Sequence, residues 1–250
     1  MRTQTPSLLA VEEAGKIAKS GKRELAGRLR GRLLYNTDAP DVQIQEFIHS
    51  ETRLGAKKRS SGSQAALRNE ISAYLFEYIE GFHIPTHFVG KVSDTEMLVR
   101  KTEPIPLSVS VLNTGDAALE RLHIGKSVQP EFPIIEHYAR EDDPESWVNE
   151  FHVYALNLAT PDELKQINRI ASKVNAIVRG LCDRRGLICA ALTLSFGRYR
   201  SQQILTGELS PATCRFLDAN RPADGDRFHP DREGSESALL ALRDQLQLKV

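Results

Sequence analysis

The sequence predicts an α+β fold whose sheets are mostly antiparallel. The patterned segments run in the order strands, helix, strands, long helix, hairpin, helix, which is not the strict strand–helix alternation of a parallel sheet. The strand-like runs are short and bounded by turn-forming residues. The long helix announces its own start at Thr160 with a complete set of capping residues.

Residues 1–24 are polar and mildly helical, with Gly15 and Gly21 interrupting, and read as an appended arm. From Arg30 the pattern turns strand-like. RLLYNT ends in the turn Asp38-Ala39-Pro40-Asp41, and VQIQEFI then alternates apolar and polar residues with period 2. The two form an antiparallel hairpin. Residues 49–65, rich in Gly, Ser and cations, read as a surface loop in which Lys57, Lys58 and Arg59 cluster. No aromatic residue is interleaved with those cations, unlike a nucleic-acid surface.

A helix follows, with Leu67, Ile71, Tyr74, Leu75, Tyr78 and Ile79 on one face, stopping at Gly81. THFVGKV, EMLVRKTE and LSVSVLN are three strands, the last two separated by Pro104 and Pro106. Residues 130–152 form a connection rich in proline and acids. Thr160, Pro161, Asp162 and Glu163 are an N-cap, a first-position proline and first-turn acids, opening a helix to about Arg179. Leu164, Ile167, Ile170, Ala171, Val174 and Ile177 form its inward face. LICAALTLSF reads as a buried strand, paired with QQILTGEL through Gly197-Arg198-Tyr199-Arg200, and SALLALRDQLQL is a closing helix.

Composition limits the function classes. At 250 residues the chain can hold one large domain or two lobes sharing a core. Lys+Arg and Asp+Glu both number 33, so no net field points to nucleic acid or an anionic membrane, and an anion site must be local. No apolar run reaches the roughly 20 residues of a membrane span. Glu12 and Glu13 interrupt what a signal peptide would need. Cys182, Cys189 and Cys214 are too far apart for paired zinc spacing and odd in number, so buried thiols in a cytoplasmic protein are expected. His83 and His87 straddle Pro85 in an extended segment and do not form a metal pair. Glu141, Asp142 and Asp143 read as a solvated acidic turn.

Several strings, in order, resemble the SAICAR synthase family. They are LLYNTDAPDVQIQEF, NEISAYLFEYIEGFHIPTHFVGKVSDTEMLVRKTEPIPLSV, the acidic DDP…VNE segment, the helix with KVNAIV, the GLI…FGR hairpin, and ELSPATCRFLD followed by DGDRF. Together they cover about residues 25–246. The resemblance implies a two-lobed α+β fold, with an antiparallel β-rich N-terminal lobe at 25–105 and a larger α+β C-terminal lobe at 106–250. It also implies MgATP in the cleft between the lobes. The family activates a substrate carboxylate by phosphoryl transfer, and the amine of aspartate then displaces phosphate. Such chemistry needs cations on phosphates and acids on the metal.

Against that pattern the cleft positions divide. The family's G-K-A-K phosphate clamp becomes Gly27-Arg28-Leu29-Arg30-Gly31-Arg32, with one residue inserted, so Arg28 and Arg30 are nucleotide-cleft candidates. Lys101 at the V-R-K position, Arg140 before the acids and Glu208 join them. Ser210 and Arg215 in SPATCRFLD are the expected contacts to a substrate phosphate; alternatively Arg215 pairs with Asp218 within its turn. The D-F-K-x-E-F-G strand has lost its charges at Ala191, Thr193 and Ser195, a metal-binding aspartate is Gly207, and a substrate arginine is Leu112. Ser50 to Arg53 and Val111 to Ala118 depart from the family's wording too, and the closing arginine of D-K-D-x-F-R is His229.

No metal site is expected, nor any cofactor beyond the family's MgATP, whose ligands are mostly gone. The main expectation is a SAICAR synthase homologue acting on a phosphoribosylated heterocycle, in purine-type nucleoside biosynthesis, with the ATP-dependent ligation lost or altered. A non-catalytic partner of another pathway enzyme and a genuine SAICAR synthase are the alternatives. Nucleic acid and membrane are not expected partners, and self-association is left open.

Overall fold

A computed structural model describes residues 22–48, 61–114, 130–140, 143–221, 225–232 and 234–247. Most of the expected arm, the Lys57-Lys58-Arg59 cluster, Ser50 to Arg53, residues 115–118 and the acids Glu141 and Asp142 lie outside the described residues. The elements are β1 (Leu25–Leu29), β2 (Arg32–Asn36), β3 (Val42–Phe47), α1 (Ser61–Glu80), β4 (Phe88–Lys91), β5 (Glu96–Arg100), β6 (Glu103–Leu112), β7 (Ile134–Tyr138), β8 (Trp147–Val148), α2 (Glu150–Ala155), α3 (Pro161–Arg184), β9 (Leu187–Tyr199), β10 (Gln202–Thr206), β11 (Cys214–Asp218) and α4 (Ser235–Leu246).

Two antiparallel sheets make the two lobes. The first has the order β1-β2-β3-β5-β4; the second has β10-β9-β6-β7-β8, with β11 also paired to β9. The fold is therefore the expected α+β, two-lobed and antiparallel. The β2–β3 hairpin takes the register its alternation requires, with Tyr35 opposite Ile44 and Leu34 opposite Gln45. A single contiguous core joins the lobes, from Phe47, Met97 and Val99 through Ile71, Phe76 and Ile79 to Ile167, Leu192 and Phe216.

Several elements differ from the sequence reading. Helix α1 starts at Ser61, inside the stretch read as loop, and it is buried nearly all round. Ala65, Arg68, Asn69 and Ser72 are as covered as the expected face, because α1 sits between the first sheet and helices α3 and α4. A helix apolar on one stripe alone would not tolerate that position. Pro104 and Pro106 lie inside β6 instead of separating two strands. The register against β9 shifts between Pro104 and Ser108, an irregularity that relieves the ladder of the N–H groups proline lacks.

The connection at 130–152 contains β7, which pairs with β6 through Ser108↔Tyr138 to Leu112↔Ile134, and the short helix α2. Asp143 caps a 3-10 turn there, its carboxylate accepting from the Glu145 amide. The β9–β10 turn is Arg200-Ser201, with φ values of 47° and 65°. Gly197 is accordingly a strand residue, opposite Ile204. Positive φ at both central residues matches the right-handed twist of a hairpin without using glycine.

Helix α3 begins as read. The Thr160 hydroxyl accepts from the Glu163 amide, and the Glu163 carboxylate accepts from the Thr160 amide, a reciprocal capping box. It runs on to Arg184, beyond the expected end near Arg179. Leu164, Ile167, Ala171 and Val174 are buried, and Ile170 and Ile177 are partly so. All three cysteines are free and buried. Burial raises Cys214 to about 12, so it behaves as an apolar side chain. Among the described residues, no helix is long and apolar enough to cross a membrane.

Candidate functional site

Where the sheets meet, a cavity of about 380 Å³ opens. Its first wall is the β1–β2 turn with Arg28, Arg30 and Gly31, and its second is Thr193 of β9. Ala212 and Thr213 come from the segment between β10 and β11, and His229 to Asp231 from the segment before α4. Arg140, just past β7, completes the rim. A smaller cavity of about 180 Å³ adjoins it, sharing Thr193, Ala212, Thr213 and His229 and adding Ala191, Arg215 and Asp226.

The floor is a buried ion cluster. Arg68 Nε donates to Glu208 Oε1 at 2.8 Å and Arg68 Nη2 to Oε2 at 2.7 Å, a two-point fork on the carboxylate. Arg32 approaches Oε2 from the other side, Nε at 3.4 Å. The Ser210 hydroxyl donates to Oε1. Glu208 has 1% of its side chain exposed, Arg32 2% and Arg68 4%. Burial alone would push the Glu208 carboxyl up, but Arg68, Arg32 and Ser210 hold it below its ordinary range. For Arg68 burial opposes the charge, and Glu208 restores it and keeps its pKa raised. The cluster is anchored on all sides. Arg68 Nη1 donates to the Ile48 carbonyl, Gln45 Nε2 to the Gly207 carbonyl, and the Leu209 amide to the Ser72 hydroxyl of α1.

Of the residues singled out from sequence, the cleft gathers Arg28, Arg30, Arg140 and Glu208. Arg28 is exposed on β1; Arg30 pairs with Asp231 at 3.2 Å, and Arg140 with Asp143. Lys101 is different: it is exposed after β5 and lines neither cavity. Ser210 is fully buried, its hydroxyl engaged by Glu208 instead of facing the cleft. Arg215 lines the smaller cavity and pairs with Asp226, whereas Asp218 is met by Arg227 at 3.6 Å; the alternative Arg215–Asp218 pair does not form. Leu112 is buried at the end of β6, opposite Ala191 and Ile134.

Ala191, Thr193 and Ser195 share one face of β9, as alternate strand residues must. The Thr193 hydroxyl is 3.2 Å from that of Ser110. Gly207 has φ +84°, and a Cβ there would lie 3.3 Å from both Arg32 Nη1 and Ser195.

Arg68 was not visible from the sequence as a site residue. It stands three residues before Ile71 and four before Ser72, so helical spacing alone puts it on a buried face. A charge in such a stripe needs a buried partner, and that is the signal that could have found it.

These residues do not fit a protein-held Mg²⁺. That ion asks for oxygen ligands in near-octahedral geometry. Here Glu208 is taken up by two guanidiniums and a hydroxyl, positions 191, 193, 195 and 207 carry no charge, and among the described residues no three acids, histidines or cysteines converge. What the cleft does offer is cations. Arg28, Arg30, Arg32, Arg68 and Arg140 face two carboxylates, Glu208 and Asp231. It is therefore suited to an anion.

Two antiparallel lobes on one core, with an arginine-lined cleft where they meet, define a two-lobed class of α+β protein. The model of the SAICAR synthetase family matches residues 27–239, and the chain belongs to that family. It is 36% identical over 233 residues to the phosphoribosylaminoimidazole-succinocarboxamide synthase of Persephonella marina, covering 91% of this chain and 98% of that one. Among solved structures, the same-named synthase from Ehrlichia chaffeensis superposes with a TM-score of 0.78 at 26% identity, covering 91% of this chain and 100% of the other. A SAICAR synthetase in complex with ADP superposes with a TM-score of 0.77 at 27% identity, covering 90% and 98%.

Proposed function

We propose that this chain acts in purine biosynthesis at the step its relatives are named for, with a phosphoribosylated imidazole carboxylate, aspartate and ATP as substrates. The observation that supports this is the extent of the similarity. It runs along 98% of the Persephonella marina synthase, through both lobes. A related structure carries ADP. The chain's own part in such a reaction would be positioning and charge neutralisation. Arg28, Arg30 and Arg140 on the rim would meet phosphate oxygens, and a guanidinium fork suits a phosphate in two-point contact. Arg215 in the adjoining cavity is placed for a second anionic group. As a biosynthetic enzyme of this kind it would work in the cytoplasm.

A second reading keeps the phosphoribosylated ligand and drops or redirects the ligation, as in purine-type nucleoside pathways. One observation favours it: Ala191, Thr193, Ser195 and Gly207 leave the cleft without the charges that the family resemblance places there. One experiment separates the two. Purified protein is incubated with ATP, Mg²⁺, aspartate and the carboxylated aminoimidazole ribonucleotide, and product and released phosphate are followed by chromatography. Succinocarboxamide product supports the first reading. Ribonucleotide binding without product supports the second. Neither binding nor product sinks both.

A further inference from the structure

We propose that the guanidiniums of Arg68 and Arg32 stand in for a divalent cation at Glu208, so that the cleft takes its phosphate-bearing ligand through arginines alone, independently of Mg²⁺. The inference rests on the phosphorylated ligand class proposed above and adds to it the identity of the counter-charge.

The geometry points there because two glycines hollow out the space these arginines fill. At Gly31, φ is +68° and a Cβ would stand 2.7 Å from Arg68 Nη2 and 2.9 Å from Nη1. Any side chain there would push the fork off Glu208. At Gly207, φ is +84° and a Cβ would stand 3.3 Å from Arg32 Nη1, so an acid at this position would be strained and crowded against the second guanidinium. Glycine and arginine thus come as matched pairs, Gly31 with Arg68 and Gly207 with Arg32.

The carboxylate between them is already largely engaged. Of the roughly four acceptor positions on a carboxylate, Arg68 occupies two and Ser210 one, and Arg32 lies against Oε2 at 3.4 Å. The position left over lies under the Arg32 guanidinium, which a metal would have to displace. Guanidiniums flank Glu208, so a dication approaching this carboxylate would meet their like charge first. Both guanidiniums still line the cavity although their side chains are 4% or less exposed. Held by buried partners, they are fixed before a ligand arrives. The exposed Arg28 and Arg30 add an outer pair of cations on the rim. Their fixed positive charge lies where a bound metal supplies it in other phosphate sites, and the rim arginines add the planar donors.

Inorganic tripolyphosphate is the probe. Its binding to the whole protein is measured by calorimetry in EDTA and in excess Mg²⁺, beside Arg28→Ala/Arg30→Ala, a surface variant checked for folding by circular dichroism. The expected result is binding in EDTA that Mg²⁺ leaves unchanged within about threefold or weakens, and that the double variant weakens about tenfold or more. Affinity raised about tenfold or more by Mg²⁺ would overturn the proposal while leaving the phosphorylated ligand class standing. Unchanged affinity in the double variant would place the anion elsewhere and overturn it too. No binding under either condition removes both the proposal and the ligand class it rests on.

Discussion

The guanidinium of Arg68 lies directly on the backbone of Gly31, with 2.7 Å between Nη2 and the point where a Cβ would be. Gly31 belongs to the stretch that carries one inserted residue relative to the family's pattern, and it turns β1 into β2 with φ +68°. Gly31→Ala should therefore cost twice. A left-handed conformation with a side chain costs about 1–2 kcal/mol, and Arg68 must also give up part of its fork on Glu208. A loss of about 2 kcal/mol or more in urea unfolding is expected. An unchanged midpoint would show that the turn relaxes freely.

The ion cluster gives an ordered pair of outcomes. Glu208→Gln takes the carboxylate away from between two buried guanidiniums and should destabilise by about 3–5 kcal/mol. Arg68→Met leaves Glu208 with Arg32 at 3.4 Å and the Ser210 hydroxyl, so its loss should be nearer that of lost hydrogen bonds, about 1–3 kcal/mol. Denaturant midpoints of the two variants test the ordering. Equal losses, or the reverse order, would mean that Arg32 does not share the charge.

How much of this was legible follows from which signals are local. VQIQEF and the Thr160–Glu163 box were readable because strand alternation and helix capping are written in adjacent residues. Strand β7 was hidden: IIEHY is five residues long, sits among prolines and acids, and is a strand only because β6 offers it an edge. The prolines of β6 looked like a break because a tolerated register shift cannot be seen in one strand alone. In the site, Arg28, Arg30, Arg140 and Glu208 were found through the family resemblance. The pairing of Arg68 with Glu208, 140 residues apart, was not, because nothing near either residue names the other.

His87 makes acid stability a test of burial. It is enclosed beside Phe76, with ring centroids 5.0 Å apart, and its pKa falls to about 3, first through desolvation and then through Arg32 and Arg100. A base depressed in the fold is protonated preferentially in the unfolded chain. Its contribution is therefore complete above the unfolded value near 6.5 and erodes as pH falls from there toward 3, by up to about 1.4 kcal/mol per pH unit. His87→Gln should flatten stability against pH between about 6.5 and 5 by close to one proton. The same slope in variant and parent would show that His87 is hydrated.

Glu163 works in a lower window and ties the start of α3 to the second sheet. Its carboxylate accepts from Arg198 of β9, through Nε and through Nη2 at 3.1 Å, and from the Thr160 amide at 2.9 Å. Arg198 first, and the cap after it, hold the carboxyl down to about 2 against the opposing effect of burial. A depressed acid contributes fully above its unfolded value near 4.5 and loses that contribution as pH falls toward 2. Because Arg198 is partly exposed, solvent screening trims the expected stabilisation to about 1–2 kcal/mol. Glu163→Gln should lower stability by that amount at neutral pH and converge on the parent near pH 2, leaving the His87 window intact. Thr160→Ala, which removes only the hydroxyl half of the box, should cost about 1 kcal/mol with little change in slope. If Glu163→Gln shifts the profile equally at every pH, the carboxylate's charge is not what joins helix to sheet.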